Sequence, residues 1–383
     1  MLKITLKIVL ALVVISNSLH SFQANPEYEL VISDSIIINK LEILQVADYN
    51  PKTNNFLVYG TTSKKCLEID FQGNILSEVD LSGEGPGHFG RGMSALGYIG
   101  DNKVIEGAAS YIFFDKDWNY QNKFTPGSSM IPLVGLPYDL TGLMLNGKPT
   151  VLRYINQNYF GSMELKKGHF SSAKMIEAFN GESEKAERHL DYPKNTVYQD
   201  EETYYDSHLP RLSINKSNGL FYVALPLEKT IYTYNPKKEF NLVNEFPIKL
   251  ERFKEPEGIP FGDQLKNPGQ YTGRTNRRNT ILRMTNSAIL DIHAEGNTII
   301  IEHQTGLKKS NYNTARQANP DYVRLNKYIT TFVKDEKVVL TVEKRFKQLV
   351  RLDENRFITP YVTGEDEELD YNKFYIYELR KAQ

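Results

Sequence analysis

Short runs of Tyr, Phe, Ile and Val, separated by clusters of Asn, Gly, Asp and Lys, recur along nearly the whole chain. The runs are strand signals and the clusters are turn signals. The clearest set covers residues 43–46, 56–59, 66–71 and 75–81, with turns at 50–52, 61–65 and 72–74. Its third and fourth runs alternate apolar and polar residues, as strands with one buried face do. The same four-run pattern returns at 95–124, at 212–246 and at 289–346. A weaker set spreads over 138–179, where 172–179 reads equally well as helix. Convincing amphipathic helices are almost absent.

The last set has three runs, at 349–352, 357–362 and 374–379, while one run near the start, 35–40, has no set of its own. A ring accounts for both. The early run becomes the outer strand of the final sheet and removes an exposed edge. The expected fold is therefore all-β: a six-bladed β-propeller of four-stranded antiparallel blades, with the N-terminal strand closing the last blade. A seventh blade would need another strand set within 180–207. No Ser/Pro/Gly-rich linker divides the chain, so residues 25–383 read as one domain that grows by repetition around the ring.

Residues 1–24 look different. Lys3 and Lys7 flank the start of an apolar run, 8–15, that leads into a polar stretch, the form of a secretory signal peptide. The run is shorter than the about 20 residues a membrane-spanning helix needs. Cleavage is expected after Ala24, with Ser18 and Ser21 open because Phe22 stands where peptidases prefer a small residue. The single cysteine, Cys66, lies far beyond, so the expected product is not a lipoprotein but a periplasmic or extracellular protein without stable membrane insertion. One cysteine forms no internal disulfide, and 40% hydrophobic residues must supply the stability. A net charge of -1 provides no field for nucleic acid.

Two segments carry a family resemblance. Leu81-Ser82-Gly83-Glu84-Gly85-Pro86-Gly87-His88-Phe89-Gly90 follows directly on an outer strand, and Cys66-Leu67-Glu68-Ile69-Asp70-Phe71-Gln72-Gly73 forms a strand and turn. They resemble the G-x-GPG-x-[FY] and i-x-x-y-D-x-x-G elements of NHL-like and TolB-like six-bladed propellers, found in many exported bacterial proteins of unknown function. The resemblance implies the architecture and export. It leaves the binding partner unassigned.

In such a ring, links between blades and links between the two middle strands of a blade open on one face. The long segments 180–207, 249–285, 306–326 and 363–372 then share that face with the Gly83–Gly92 turn, and loops on a rigid scaffold carry binding residues. Gly85, Gly87 and Gly90 match G-x-G-x-x-G, yet no helix follows to hold phosphates. The glycines instead permit a tight crossing with positive φ, which would put Glu84, His88 and Arg91 at the channel mouth. Arg274, Arg277, Arg278 and Arg316 offer forked donors for carboxylate or phosphate, with Tyr271 as a stacking partner. Against this stands a solvated surface paired with nearby acids. His293 and His303 can approach across neighbouring strands, but a zinc site needs a third ligand. No G-x-S-x-G elbow occurs, and Cys66 reads as a core residue. No cofactor and no metal is expected. The expectation is a binding propeller that recognises a peptide, glycan or protein on its loop-rich face. The alternative is a hydrolase or lyase with a metal-assisted site at the channel mouth.

Overall fold

The computed structural model describes residues 27–90, 92–107, 110–126, 138–155, 167–205, 207–260, 282–308, 310, 326–362 and 369–383. β1 (Tyr28–Ile38) comes first and belongs to the last blade. Blade 1 is β2 (Leu44–Asn50), β3 (Asn55–Gly60), β4 (Lys65–Ile69) and β5 (Ile75–Asp80). Blade 2 is β6 (Met93–Ile99), β7 (Asn102–Gly107), β8 (Tyr111–Phe114) and β9 (Tyr120–Phe124), and the short β10 (Tyr138–Asp139) pairs in parallel with β6 on its axial side. Blade 3 is β11 (Gly142–Leu145), β12 (Lys148–Tyr154), β13 (Lys174–Asn180) and β14 (Glu187–Asp191). After β15 (Thr203–Tyr204), blade 4 is β16 (Arg211–Ile214), β17 (Phe221–Ala224), β18 (Thr230–Asn235) and β19 (Asn241–Pro247). β20 (Ile259–Pro260) pairs back onto β15, tying two long links together. Blade 5 is β21 (Ala288–Glu295), β22 (Thr298–Gln304), β23 (Tyr328–Lys334) and β24 (Lys337–Val342). Blade 6 is β25 (Val350–Arg351), β26 (Arg356–Pro360), β27 (Asn372–Lys381) and, outermost, β1.

The ring closes as expected, and over a longer strand. β1 pairs with β27 from Tyr28 opposite Lys381 to Ile38 opposite Asn372. Asn372 adds a second fastening: its Oδ1 accepts from Leu44 N at 3.0 Å and its Nδ2 donates to Lys40 O at 2.7 Å and Glu42 O at 2.8 Å. Both ends of the chain thus hold the entry to blade 1.

Each seam between neighbouring blades has its own apolar core. Blades 6 and 1 meet through Ile36, Val46, Leu67 and Ile376, and blades 1 and 2 through Ala47, Leu57, Cys66 and Ile105. Val104, Phe113 and Phe179 fill the next seam, Ile176, Phe221 and Val223 the one after. Ile231, Ile292 and Ile301 join blades 4 and 5; Ile300, Phe332, Phe346 and Phe357 join blades 5 and 6. Burying a large apolar side chain contributes about 1.5–3 kcal/mol, so stability is spread around the circumference. Burial pushes the Cys66 thiol well above its ordinary range, as suits a core residue.

The tight outer turns have a chemical cause. Asp70 Oδ1 accepts from Gln72 N at 2.9 Å and Asn74 N at 2.8 Å, and Asn74 Nδ2 donates to Oδ2 at 2.8 Å. Asp115 repeats this with Asp117 N and with Asn119, each bond at 2.9 Å. The carboxylate satisfies amides that the turn leaves free of the ladder.

Blade 3 differs from expectation in three ways. The segment read as strand or helix divides: α1 is His169–Ser172 and β13 follows. Tyr138–Asp139 belongs to the sheet of blade 2. The outer strand, Glu187–Asp191, falls inside the segment taken as an insertion, so the link to blade 4 is 192–210.

Candidate functional site

The strand order sorts every link to one of two faces. Turns between first and second strands and between third and fourth strands are short, such as 51–54, 100–101, 146–147, 296–297 and 335–336. Links on the other face include 81–92, 155–173, 192–210, 248–287, 305–327 and 361–371. Part of the loop face is core rather than surface. Tyr204 is buried with Ile259 and Leu282, and Tyr192 and Tyr198 pack on Phe170 at 4.9 and 5.9 Å between ring centres.

The glycine turn adopts the predicted backbone but sits elsewhere. Gly83, Gly85 and Gly90 have φ of 101°, 140° and 81°, and Gly83 bridges Gly90. A Cβ on Gly87 would lie 3.4 Å from Tyr120, in the outermost strand of blade 2. Glu84 is therefore exposed above the outer part of that blade, with His88 half-buried beside it, and neither borders the axis as the crossing had suggested. Arg91, Tyr271, Arg274, Arg277, Arg278 and Arg316 lie outside the described residues.

The channel wall holds the residues that sequence reasoning missed. β2 and β21 each carry a bulge, at Ala47 and Leu290, immediately before an aspartate. A bulge inserts a residue and re-aims the next side chain. Asp48 is aimed across the axis. Its Oδ1 accepts from Lys216 Nζ at 2.6 Å, and Lys216 comes from the first turn of blade 4, three blades away in a ring of six. Lys216 Nζ also donates to Tyr49 O at 2.8 Å, and Asp48 Oδ2 accepts from Tyr98 N at 2.7 Å. Gly97 leaves room for this: a Cβ there would stand 2.8 Å from Leu140 and 3.3 Å from Asp48. Glu295 fixes the turn that presents the lysine, taking Lys216 N and Ser217 N at 3.0 Å each. The channel is thus bridged at its tight-turn end.

Asp291 likewise follows directly on the bulge of β21 in blade 5, two residues further from the tight turn. Its Oδ1 accepts from Ile292 N at 2.9 Å and its Oδ2 lies 3.5 Å from His293 Nε2. Its side chain keeps 47% of its surface although protein surrounds it, which places it on the wall of the channel. Burial raises the carboxyl's pKa, but the nearby His293 and Arg211 outweigh it and the net direction is down. Behind it, Glu302 pairs across the strands with Asp291 and is 3% exposed. Phe346 N donates to its Oε1 at 2.6 Å, and Arg345 Nε lies 3.5 Å from Oε2. Burial and then the charge of Asp291 push Glu302 up to about 7.

The hairpin register separates the two histidines: His293 pairs with Ile300, three residues from His303 along β22, so the two side chains fall on opposite faces. His293 faces blade 6 with Ile300 and Glu302, whereas His303 faces blade 4, its Nε2 2.9 Å from Glu251 O. The expected approach of His293 to His303 does not occur. Among the described residues no group of three His, Cys, Asp or Glu side chains is disposed to hold a metal ion. One open groove of about 450 Å³ lies on the outer wall between blades 3 and 4, lined by Arg188, His189 and Phe240 among others, away from the axis.

No family model matches the chain, and no curated protein does. Among solved structures, a member of the DUF4221 family from Bacteroides vulgatus superposes with a TM-score of 0.66 at 8% identity, covering 94% of this chain and 100% of that one. A protein from Bacteroides fragilis predicted to be exported superposes with a TM-score of 0.52 at 10% identity, covering 93% and 96%. At such identities the likeness shows the six-bladed fold. No helix among the described residues is long and apolar enough to cross a membrane.

Proposed function

We propose that this chain is an exported binding propeller that recognises a peptide, glycan or protein partner on its loop-rich face. One observation carries the reading: long links emerge on one face only, and the channel is bridged at the other. The leader at residues 1–24 and the NHL-like and TolB-like motifs support export to the periplasm or beyond. Within this reading Arg274, Arg277, Arg278, Arg316 and Tyr271 contact an anionic ligand, with Glu84, His88 and Arg91 as further contacts. Binding to glycan and peptide arrays tests it. Replacing Arg277 and Arg278 with Ala should weaken capture of an acidic ligand, more so at low salt than at high. Capture that persists unchanged in that variant would discard the arginine contacts.

A second reading, hydrolase or lyase chemistry at the channel, draws on the Asp291 and Glu302 pair, whose surroundings push their pKa values in opposite directions. Glu302, however, lies beneath the wall with both oxygens engaged. For the metal-assisted form, elemental analysis of dialysed protein decides: a stoichiometric retained metal favours this reading over the first.

A further inference from the structure

We propose that the channel wall at blades 4 and 5 binds a zwitterionic small molecule of the free amino-acid class, with Asp291 taking the ammonium group and Arg211 the carboxylate. The proposal deepens the binding reading above and rests on it. β16 and β21 are neighbouring inner strands stitched together by Ala294 N to Ser213 Oγ at 2.9 Å and Asn215 Nδ2 to Gly296 O at 2.7 Å. Arg211 joins the stitching through one nitrogen, donating from Nε to Ile289 O at 3.3 Å. That bond fixes the guanidinium beside the strand that carries Asp291, two residues further on. Its two terminal nitrogens have no partner among the described residues, and it makes no ion pair with Asp291. Its charge nevertheless reaches the carboxylate and helps to lower its pKa.

Two opposite charges are therefore held near each other without touching. Each retains capacity for a ligand. A forked guanidinium suits a carboxylate, and Asp291 Oδ2, with only the long contact to His293, suits an ammonium. A purely anionic ligand would meet repulsion from Asp291, and a purely cationic one from Arg211; a molecule bearing both charged groups on one carbon satisfies both. Asp48 cannot serve this way, because Lys216 already occupies it.

The test is isothermal titration of the full mature chain at low salt with each proteinogenic amino acid. At least one should bind. N-acetylation or C-amidation of that amino acid should weaken it by about tenfold or more, the loss of one charge-assisted contact. Arg211→Met and Asp291→Asn should each do the same while thermal unfolding stays close to the parent. Absence of any binding, equal binding of the blocked derivatives, or binding unaffected by both substitutions overturns the proposal. A partner found on arrays whose capture ignores both substitutions removes this site and leaves the loop-face reading intact. Amino-acid binding lost in both variants, with no array partner, does the reverse.

Discussion

Asp48 and Asp291 lie on the inner strands of blades 1 and 5, each just after a bulge, each capping the amide that follows it. Their fates differ. Asp48 spends its second oxygen on an amide of the next blade, takes a lysine from across the axis, and has a side chain 13% exposed. Beyond its amide cap, Asp291 has one long contact, to His293, and its side chain is 47% exposed. The same backbone device thus serves as a brace at one place and leaves a charge available at another. Which role results depends on a residue three blades away.

That contrast can be broken from either side. The largest effect is expected at Asp48→Ala, which strands Lys216 and leaves the Tyr98 amide unpaired. A loss of about 3 kcal/mol is expected by urea denaturation, in the range for breaking an inward-facing charge pair; a loss no larger than that of Asp291→Ala would refute the brace. Glu302→Gln comes next, and its sign depends on pH. The folded carboxyl sits at about 7 against an ordinary 4.5, so the folded state holds its proton longer than the unfolded chain does. Stability from this group is present below about 4.5 and is lost as pH rises through 7, on the order of 3 kcal/mol in full. The glutamine variant should gain on the parent between pH 5 and pH 8, and parallel denaturation midpoints would contradict the assignment. Lys216→Met should cost less, about 1–2 kcal/mol, because the lysine is partly exposed and its screening by solvent reduces the pair.

Much of the fold was legible because its signals are local. Asp70 with Asn74 and Asp115 with Asn119 announce turns, and the orphan strand near residue 35 together with the three-stranded last set announces the closure. β14 was not legible: Glu187-Arg188-His189-Leu190-Asp191 has one apolar residue, since an outer strand of a propeller faces solvent. The site was harder still. Spacing alone put His293 and His303 on neighbouring strands, but the turn at 296–297 pairs His293 with Ile300, and a side chain three residues along a strand points to the other face. A usable clue did exist. Val46-Ala47-Asp48-Tyr49 and Ile289-Leu290-Asp291-Ile292 both set an aspartate inside an apolar inner strand, where a charge must have a reason.

The most direct measurement is carboxyl footprinting of the native protein with a water-soluble carbodiimide and glycine ethyl ester, read residue by residue by mass spectrometry. Asp291 should react in the folded chain, while Asp48 stays unmodified until Lys216 is replaced. Equal labelling of the two aspartates, or an Asp291 that reacts only after unfolding, would contradict an Asp48 held by Lys216 and an Asp291 accessible on the channel wall.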